Sequence, residues 1–430
     1  MPRRLALDVL DEILIRKKSF ELSFDGHPRV SKLEQRDRNL AYRLTATVLR
    51  RLGQLDALID VCLERPLPKK AASARNILRM GAAQICFLDT PHHAAVDTSV
   101  DLAQAAGQGP YKKLINAILR RLGREGKGLA AAQDAARLNT PDWLWESWSS
   151  AYGESTCRQI AEAHLILPPL DITVKTDPAA WAEKLGGESV AGGSIRLTDA
   201  GAVTGLPGFE TGDWWVQDAA AALPVRLLGD VKGKRVADLC AAPGGKTAQL
   251  AAAGAHVVAV DRSKPRLAVL EKNLARLNLT ADCVEADAAA WEPAEPFDAV
   301  LIDAPCTSTG TLRRHPDIAW LKSPKDVAGV AGVQGNLLQA AEKLVKPGGV
   351  LVYATCSLQP EEGPAAIEHF LSTGSSFERS PISAEEIGGL SECITAAGDL
   401  RTLPCHLAGA GGMDGFFAAR LIRKLDQPGN

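Results

Sequence analysis

Leu5, Val9, Leu10, Ile13 and Leu14 recur at helical spacing, and Leu40, Leu44, Val48, Leu52 and Leu55 repeat the pattern. The spacing predicts helix throughout residues 1–125. Asp25-Gly26-His27-Pro28, Arg65-Pro66-Leu67-Pro68 and Gly107-Gln108-Gly109-Pro110 punctuate it. The run 112–122 gathers Leu114, Ile115, Ile118, Leu119 and Leu122 on one face and sets Lys113, Arg120 and Arg124 on another. A small all-α domain is expected there. Gly126-Lys127-Gly128 then reads as a linker. It opens a segment, 126–225, of linker helices and a small α+β subdomain, with strands over 171–175, 194–197 and 214–216. Trp143, Trp145 and Trp148 read as packing anchors rather than a base-stacking platform.

From residue 226 the pattern changes. Short apolar runs at 235–240, 256–261, 282–287, 297–303 and 349–354 alternate with helical stretches at 247–253, 264–278 and 326–345. This βαβ series predicts a Rossmann-like α/β domain over 226–430, a parallel sheet with helices on both faces. The run 415–422 is expected to add a late strand at the sheet edge.

Composition fits a globular chain: 46% of residues are apolar and 23% charged. The absence of a long apolar run argues against a membrane span, and Asp8, Asp11 and Glu12 interrupt any secretory apolar core near the N-terminus. Nine cysteines without a CxxC pair read as reduced thiols in the cytoplasm, and no metal-ligand spacing is present. The net charge of −2 speaks against a polyanion partner until it is divided by region. Residues 1–130 hold 23 Lys and Arg against 14 Asp and Glu, while the rest holds 26 against 37. The basic front suggests a nucleic-acid footing.

In an open α/β sheet, ligands sit beyond the carboxyl ends of the strands. Those predicted ends carry Cys240, Ala241, Ala242, Pro243, Gly244, Gly245 and Lys246, then Asp261, Asp287 and Asp303. The small-residue loop lets a ligand approach the backbone, and the following helix offers N–H groups. Asp261 stands where an acid grips a ribose diol, and Asp287 where one accepts from an adenine amino group. Gly245-Lys246-Thr247 resembles the tail of a phosphate-binding loop, but that loop requires glycine where Cys240 stands. The glycine pattern of a dinucleotide oxidoreductase is also missing. S-adenosylmethionine matches these groups best.

Cys306, in Asp303-Ala304-Pro305-Cys306, and Cys356, in Thr355-Cys356-Ser357, fall at neighbouring predicted strand ends. A thiolate suits methylation of an unactivated pyrimidine carbon, because addition at carbon 6 makes carbon 5 nucleophilic. Asp303 could hold the N3/N4 edge of a base splayed out of its stack. Spacing alone leaves open which thiol attacks.

The motifs DLCAAPGGKT (238–247), DAPCTSTG (303–310), RRHPDI (313–318), TCS (355–357) and DGFF (414–417) together resemble the RNA 5-methylcytosine methyltransferases. Residues 77–100 and 113–120 are similar to the RNA-binding domain of the antitermination factor NusB. The fusion resembles the bacterial methyltransferases of small-subunit ribosomal RNA. The resemblance implies methylation of carbon 5 of one cytosine in 16S ribosomal RNA, with Cys356 as nucleophile and Cys306 assisting product release. It implies a cofactor site of residues 240–246 with Asp261, Arg266, Asp287 and Asp303. Arg313, Arg314 and His315 are expected to clamp RNA phosphates, with Lys113 and Arg120 as a further RNA-reading strip. The same chemistry on transfer RNA, and a non-catalytic assembly factor, are the alternatives. One departure stands out: the family's Arg-x-Asn is replaced by Val174-Lys175-Thr176.

Overall fold

The computed structural model describes residues 1–198 and 200–425. The chain forms two compact units: Met1–Ile166 with Leu312–Ser323, and Leu167–Thr311 with the chain from Pro324 onward. The units do not follow the expected divisions at 125 and 225. Helices up to residue 166 belong with the front domain, and the small sheet belongs with the large one.

The first unit contains α1 (Pro2–Leu14), α2 (Phe20–Asp25), α3 (Gln35–Arg50), α4 (Leu52–Cys62), α5 (Ala72–Cys86), α6 (His92–Ala105) and α7 (Lys112–Ala131). After these come α8 (Ala135–Leu138), α9 (Asp142–Tyr152) and α10 (Glu154–Ala163). Leu5, Val9, Leu10 and Ile13 share one core with Leu44, Val48, Ile77 and Leu119. The expected linker at Gly126-Lys127-Gly128 is instead helix, inside α7. A Cβ on Gly126 would lie 2.9 Å from the Cys86 sulfur, and one on Gly81 2.4 Å from Leu119 Cδ1. Both glycines let α5 and α7 approach closely. Trp148 is buried beside His164, while the guanidinium groups of Arg137 and Arg158 each lie over the Trp145 ring. No helix among the described residues is long and apolar enough to cross a membrane.

The second unit opens with a four-stranded antiparallel sheet in the order β2-β3-β1-β4. Its strands are β1 (Leu170–Val174), β2 (Glu188–Val190), β3 (Ser194–Leu197) and β4 (Trp214–Val216), with α11 (Pro178–Leu185) packed on it. Asp171 and Arg196, both 2% exposed, form a two-pronged ion pair with both N–O distances 2.7 Å. Asp171 also accepts from Ala219 N, and Arg196 donates to the Ala410 carbonyl. These bonds tether the small sheet to the rest of its unit.

The larger sheet runs β10-β12-β9-β8-β5-β6-β7, with β11 also paired to β12. After α12 (Ala219–Arg226), chain order is β5 (Arg235–Leu239), α13 (Gly245–Ala252), β6 (His256–Asp261), α14 (Lys264–Arg276), β7 (Asp282–Glu285) and β8 (Phe297–Asp303). A turn in the first unit, α15 (Ile318–Leu321), precedes α16 (Pro324–Leu344) and β9 (Val345–Thr355). Next come α17 (Pro364–Ser372), β10 (Phe377–Arg379), β11 (Leu400–Thr402) and β12 (Phe416–Arg423). Strands β5 to β9 are mutually parallel; β5, β6, β8 and β9 are largely buried, which explains their apolar runs, while β7 at the edge of the sheet is half-buried to exposed. The turn Lys346-Pro347-Gly348-Gly349 bulges within β9, where Val345 pairs Phe297 and Val350 pairs Ala299. The late strand β12 is not at the edge, as expected, but between β9 and β10, antiparallel to both.

Candidate active site

Because β5 to β9 are parallel, their carboxyl ends gather on one rim. At the end of β5, Cys240 takes a left-handed φ of 61° and Gly244 a φ of 102°. A Cβ on Gly244 would meet Leu270 Cγ at 2.7 Å, so glycine is required by conformation and by space. Gly245 then opens α13, whose first-turn N–H groups lack intrahelical acceptors by geometry. Asp261 closes β6 nearly buried: Oδ1 accepts from Ser263 N at 2.9 Å and Oδ2 from Ala242 N at 3.2 Å. Arg266 Nη1 lies 3.5 Å from the same carboxylate, and Arg266 also donates to the Ala242 carbonyl. A cavity joins Cys240, Asp261, Arg266, Asp287 and Pro305, closed on one side by Val333 and Leu337 of α16. Of the eleven expected cofactor residues, Cys240, Asp261, Arg266 and Asp287 line this one space. The two α16 residues were missed, since they look like any helical core positions.

At the end of β8, Asp303 accepts from Lys246 Nζ at 2.8 Å, and that ammonium lies over the Phe416 ring. Burial works against the lysine charge, but Asp303, with Asp238 and Cys356 behind it, raises Lys246 above its ordinary value. The Cys306 and Cys356 sulfurs are 3.4 Å apart. The hydrogen bond from Cys306 lowers the Cys356 thiol from its ordinary value, with Ser308 and Lys246 acting in the same direction against burial and the Asp303 charge. The same hydrogen bond, burial and the Cys356 charge raise Cys306 well above the thiol range. Cys240 is also pushed up, to about 12, chiefly by burial. Among the thiols at this rim, Cys356 is the one favoured as thiolate.

Three loops lock this pair in place. Gly310 N donates to the Cys356 carbonyl at 2.9 Å, and Gly415 N donates to the Gly310 carbonyl at 2.8 Å. A Cβ on Gly310 would sit 1.9 Å from Gly415 O, which explains the small residues in DAPCTSTG and DGFF. Thr309 Oγ1 accepts from Leu358 N at 3.0 Å.

The expected phosphate clamp is corrected at Arg313, which is 1% exposed in the first unit with its carbonyl accepting from Arg50. A buried guanidinium is poorly placed to meet an RNA phosphate. Arg314 and His315 beside it are half-buried. Trp320 packs on the helical core and donates to the Leu49 carbonyl at 2.9 Å. Lys113, Arg120 and Arg124 are exposed along α7. Lys175 donates to the Leu277 carbonyl at 2.9 Å, so its charge is spent within the protein.

Residues 225–422 match the family model described as 16S rRNA methyltransferase RsmB/F, and residues 1–124 match the NusB family. The chain is 34% identical over 440 residues to the ribosomal RNA small subunit methyltransferase B of Cronobacter sakazakii, covering 98% of both chains. It is similar in fold to the crystal structure of PH0851, with a TM-score of 0.76, 22% identity and 98% of each chain covered. NSun6 from Pyrococcus horikoshii, solved with SFG, gives a TM-score of 0.56 at 20% identity, over 66% of this chain and 99% of that one. By its full-length similarity and both matched domains, this chain belongs to the RsmB/F family of 16S ribosomal RNA methyltransferases.

Proposed function

We propose that this RNA cytosine-5 methyltransferase works through a covalent adduct between Cys356 and carbon 6 of a cytosine in 16S ribosomal RNA. The observation that carries the reading is the 3.4 Å pair of thiols in which Cys356 is lowered and Cys306 raised. As a thiolate, Cys356 adds to carbon 6, and the electron pair displaced from the 5,6 double bond makes carbon 5 nucleophilic. Asp303, held by Lys246, accepts from the N4 amino group, and the Lys246 ammonium beside it offsets the negative charge that the adding thiolate brings to the ring. After transfer, a base removes the carbon 5 proton, and that electron pair restores the double bond and expels the Cys356 thiolate. Cys306 assists this release by donating to the departing sulfur.

The cofactor is S-adenosylmethionine, which supplies the electrophilic methyl group. The rim fits it: Gly244 clears space beside the backbone, and α13 offers N–H groups to its carboxylate. Asp261 accepts from the ribose hydroxyls, Asp287 faces the adenine, and Arg266 holds the Asp261 carboxylate in place. SFG, found in the archaeal structure, is an analogue of the same cofactor. The exposed Lys113, Arg120 and Arg124 of α7 supply the RNA footing expected of a NusB-family domain. Bisulfite mapping of ribosomal and transfer RNA, with and without the gene, tests the substrate. Loss of a methylated cytosine from 16S RNA alone is the expected result, and loss from transfer RNA alone overturns it.

A further inference from the structure

A buried carboxylate stands between the two cysteine loops. Glu362 is 0% exposed. Its Oε2 accepts from Thr307 N at 2.8 Å and from Gln334 Nε2 at 3.3 Å. Its Oε1 accepts from the Ser357 hydroxyl at 2.8 Å and from the Thr307 hydroxyl. Thr307 directly follows Cys306, and Ser357 directly follows Cys356. The Tyr353 hydroxyl anchors the Glu362 backbone by donating to its carbonyl at 3.0 Å. Four donors on two oxygens saturate the carboxylate, which makes burial of its charge tolerable.

We propose that Glu362 is a positioning residue for methyl transfer, clamping Thr307 and Ser357 so that the Cys306 and Cys356 sulfurs keep hydrogen-bond distance. The inference rests on the reading of these thiols as assistant and nucleophile. Loosening the clamp separates them, and the hydrogen bond that favours the Cys356 thiolate goes with it. A displacement of about 1 Å is enough to cost roughly 100-fold in rate. The Glu362 charge also adds to what keeps Cys306 protonated, as the donor of the pair.

Glu362→Ala and Glu362→Gln separate this role from general support of the fold. Glutamine retains one acceptor for Thr307 N, and its amide donates to the two hydroxyls, which can turn to accept. In Glu362→Ala, kcat is expected to fall roughly 30- to 100-fold, with the KM for RNA and the cofactor affinity changed by less than about twofold. Alkylation of Cys356 by iodoacetamide at neutral pH, followed by peptide mass spectrometry, should slow about tenfold. Glu362→Gln should restore most of both. A folded Glu362→Ala enzyme with unchanged alkylation and kcat overturns the proposal, as does equal loss in both variants. If Glu362→Ala does not fold, Thr307→Val combined with Ser357→Ala answers by the same readouts, loss supporting the clamp and no change rejecting it. Turnover by Cys356→Ala tests the thiol reading separately, so the two failures are distinguishable.

Discussion

Replacing Asp261 with alanine removes a carboxylate that is 3% exposed at the end of β6. Of its about four acceptor positions, two are used by the Ser263 and Ala242 N–H groups at 2.9 and 3.2 Å. The other two, one of them on the oxygen that faces Arg266 Nη1 at 3.5 Å, are left for a ribose diol in the cavity shared with Cys240 and Asp287. A hydrogen bond to a charged acceptor contributes about 1.5–3 kcal/mol. Losing one full bond and part of a second therefore costs about 2–4 kcal/mol, a rise in Kd of roughly 30- to 900-fold. Titration calorimetry with S-adenosylhomocysteine reads this directly, with a thermal melt to verify that the variant is folded. A Kd within about twofold of the wild type would refute the ribose assignment, because the available acceptors would then be idle.

The remaining predictions concern stability, RNA and product release. Asp238 is buried under Thr247 and pushed up to about 7, first by burial. Unfolded, it ionises near pH 4, so folding stability falls as pH rises from about 4 to 7, where only the folded form still holds the proton. Asp238→Asn keeps an acceptor for Thr247 and loses this titration. Its Tm advantage over the wild type should widen between about pH 5 and pH 8, and parallel calorimetric curves would reject the argument. Exchanging Lys113 and Arg120 for glutamine should shrink the salt slope of RNA binding by roughly 1.4–1.8, and an unchanged slope in filter binding places the RNA elsewhere. Cys306→Ala should accumulate a covalent RNA–protein adduct, seen as a shifted band in a denaturing gel, and failure to form one counts against its role in release.

The large sheet was legible because β5, β6, β8 and β9 are parallel and largely buried, which writes them as apolar runs with acids and cysteines at their ends. The three-residue strands β2, β10 and β11 were not, since so short a segment carries no period; β4, equally short, was read from its Trp214-Trp215-Val216 run. The position of β12 between β9 and β10 was not legible either, since it depends on contacts far along the chain. Gly126 was misread because glycine serves both flexible linkers and tight helix contacts, and only the Cys86 sulfur beside it tells them apart. Arg313 was read as a solvent-facing charge, the usual place for arginine, yet its segment lies in the first unit. At the site, the residue types for cofactor and thiol chemistry were readable from motif and strand end. Glu362 was not, because Pro360-Glu361-Glu362 has the composition of a surface turn.

In the proposed mechanism Cys356, rather than Cys306 or Cys240, attacks the base. Transfer of a labelled methyl group from S-adenosylmethionine to 16S ribosomal RNA by Cys356→Ala tests it most directly. No transfer is expected, with S-adenosylhomocysteine affinity within about twofold of the wild type. Turnover at the wild-type rate by that variant would contradict it.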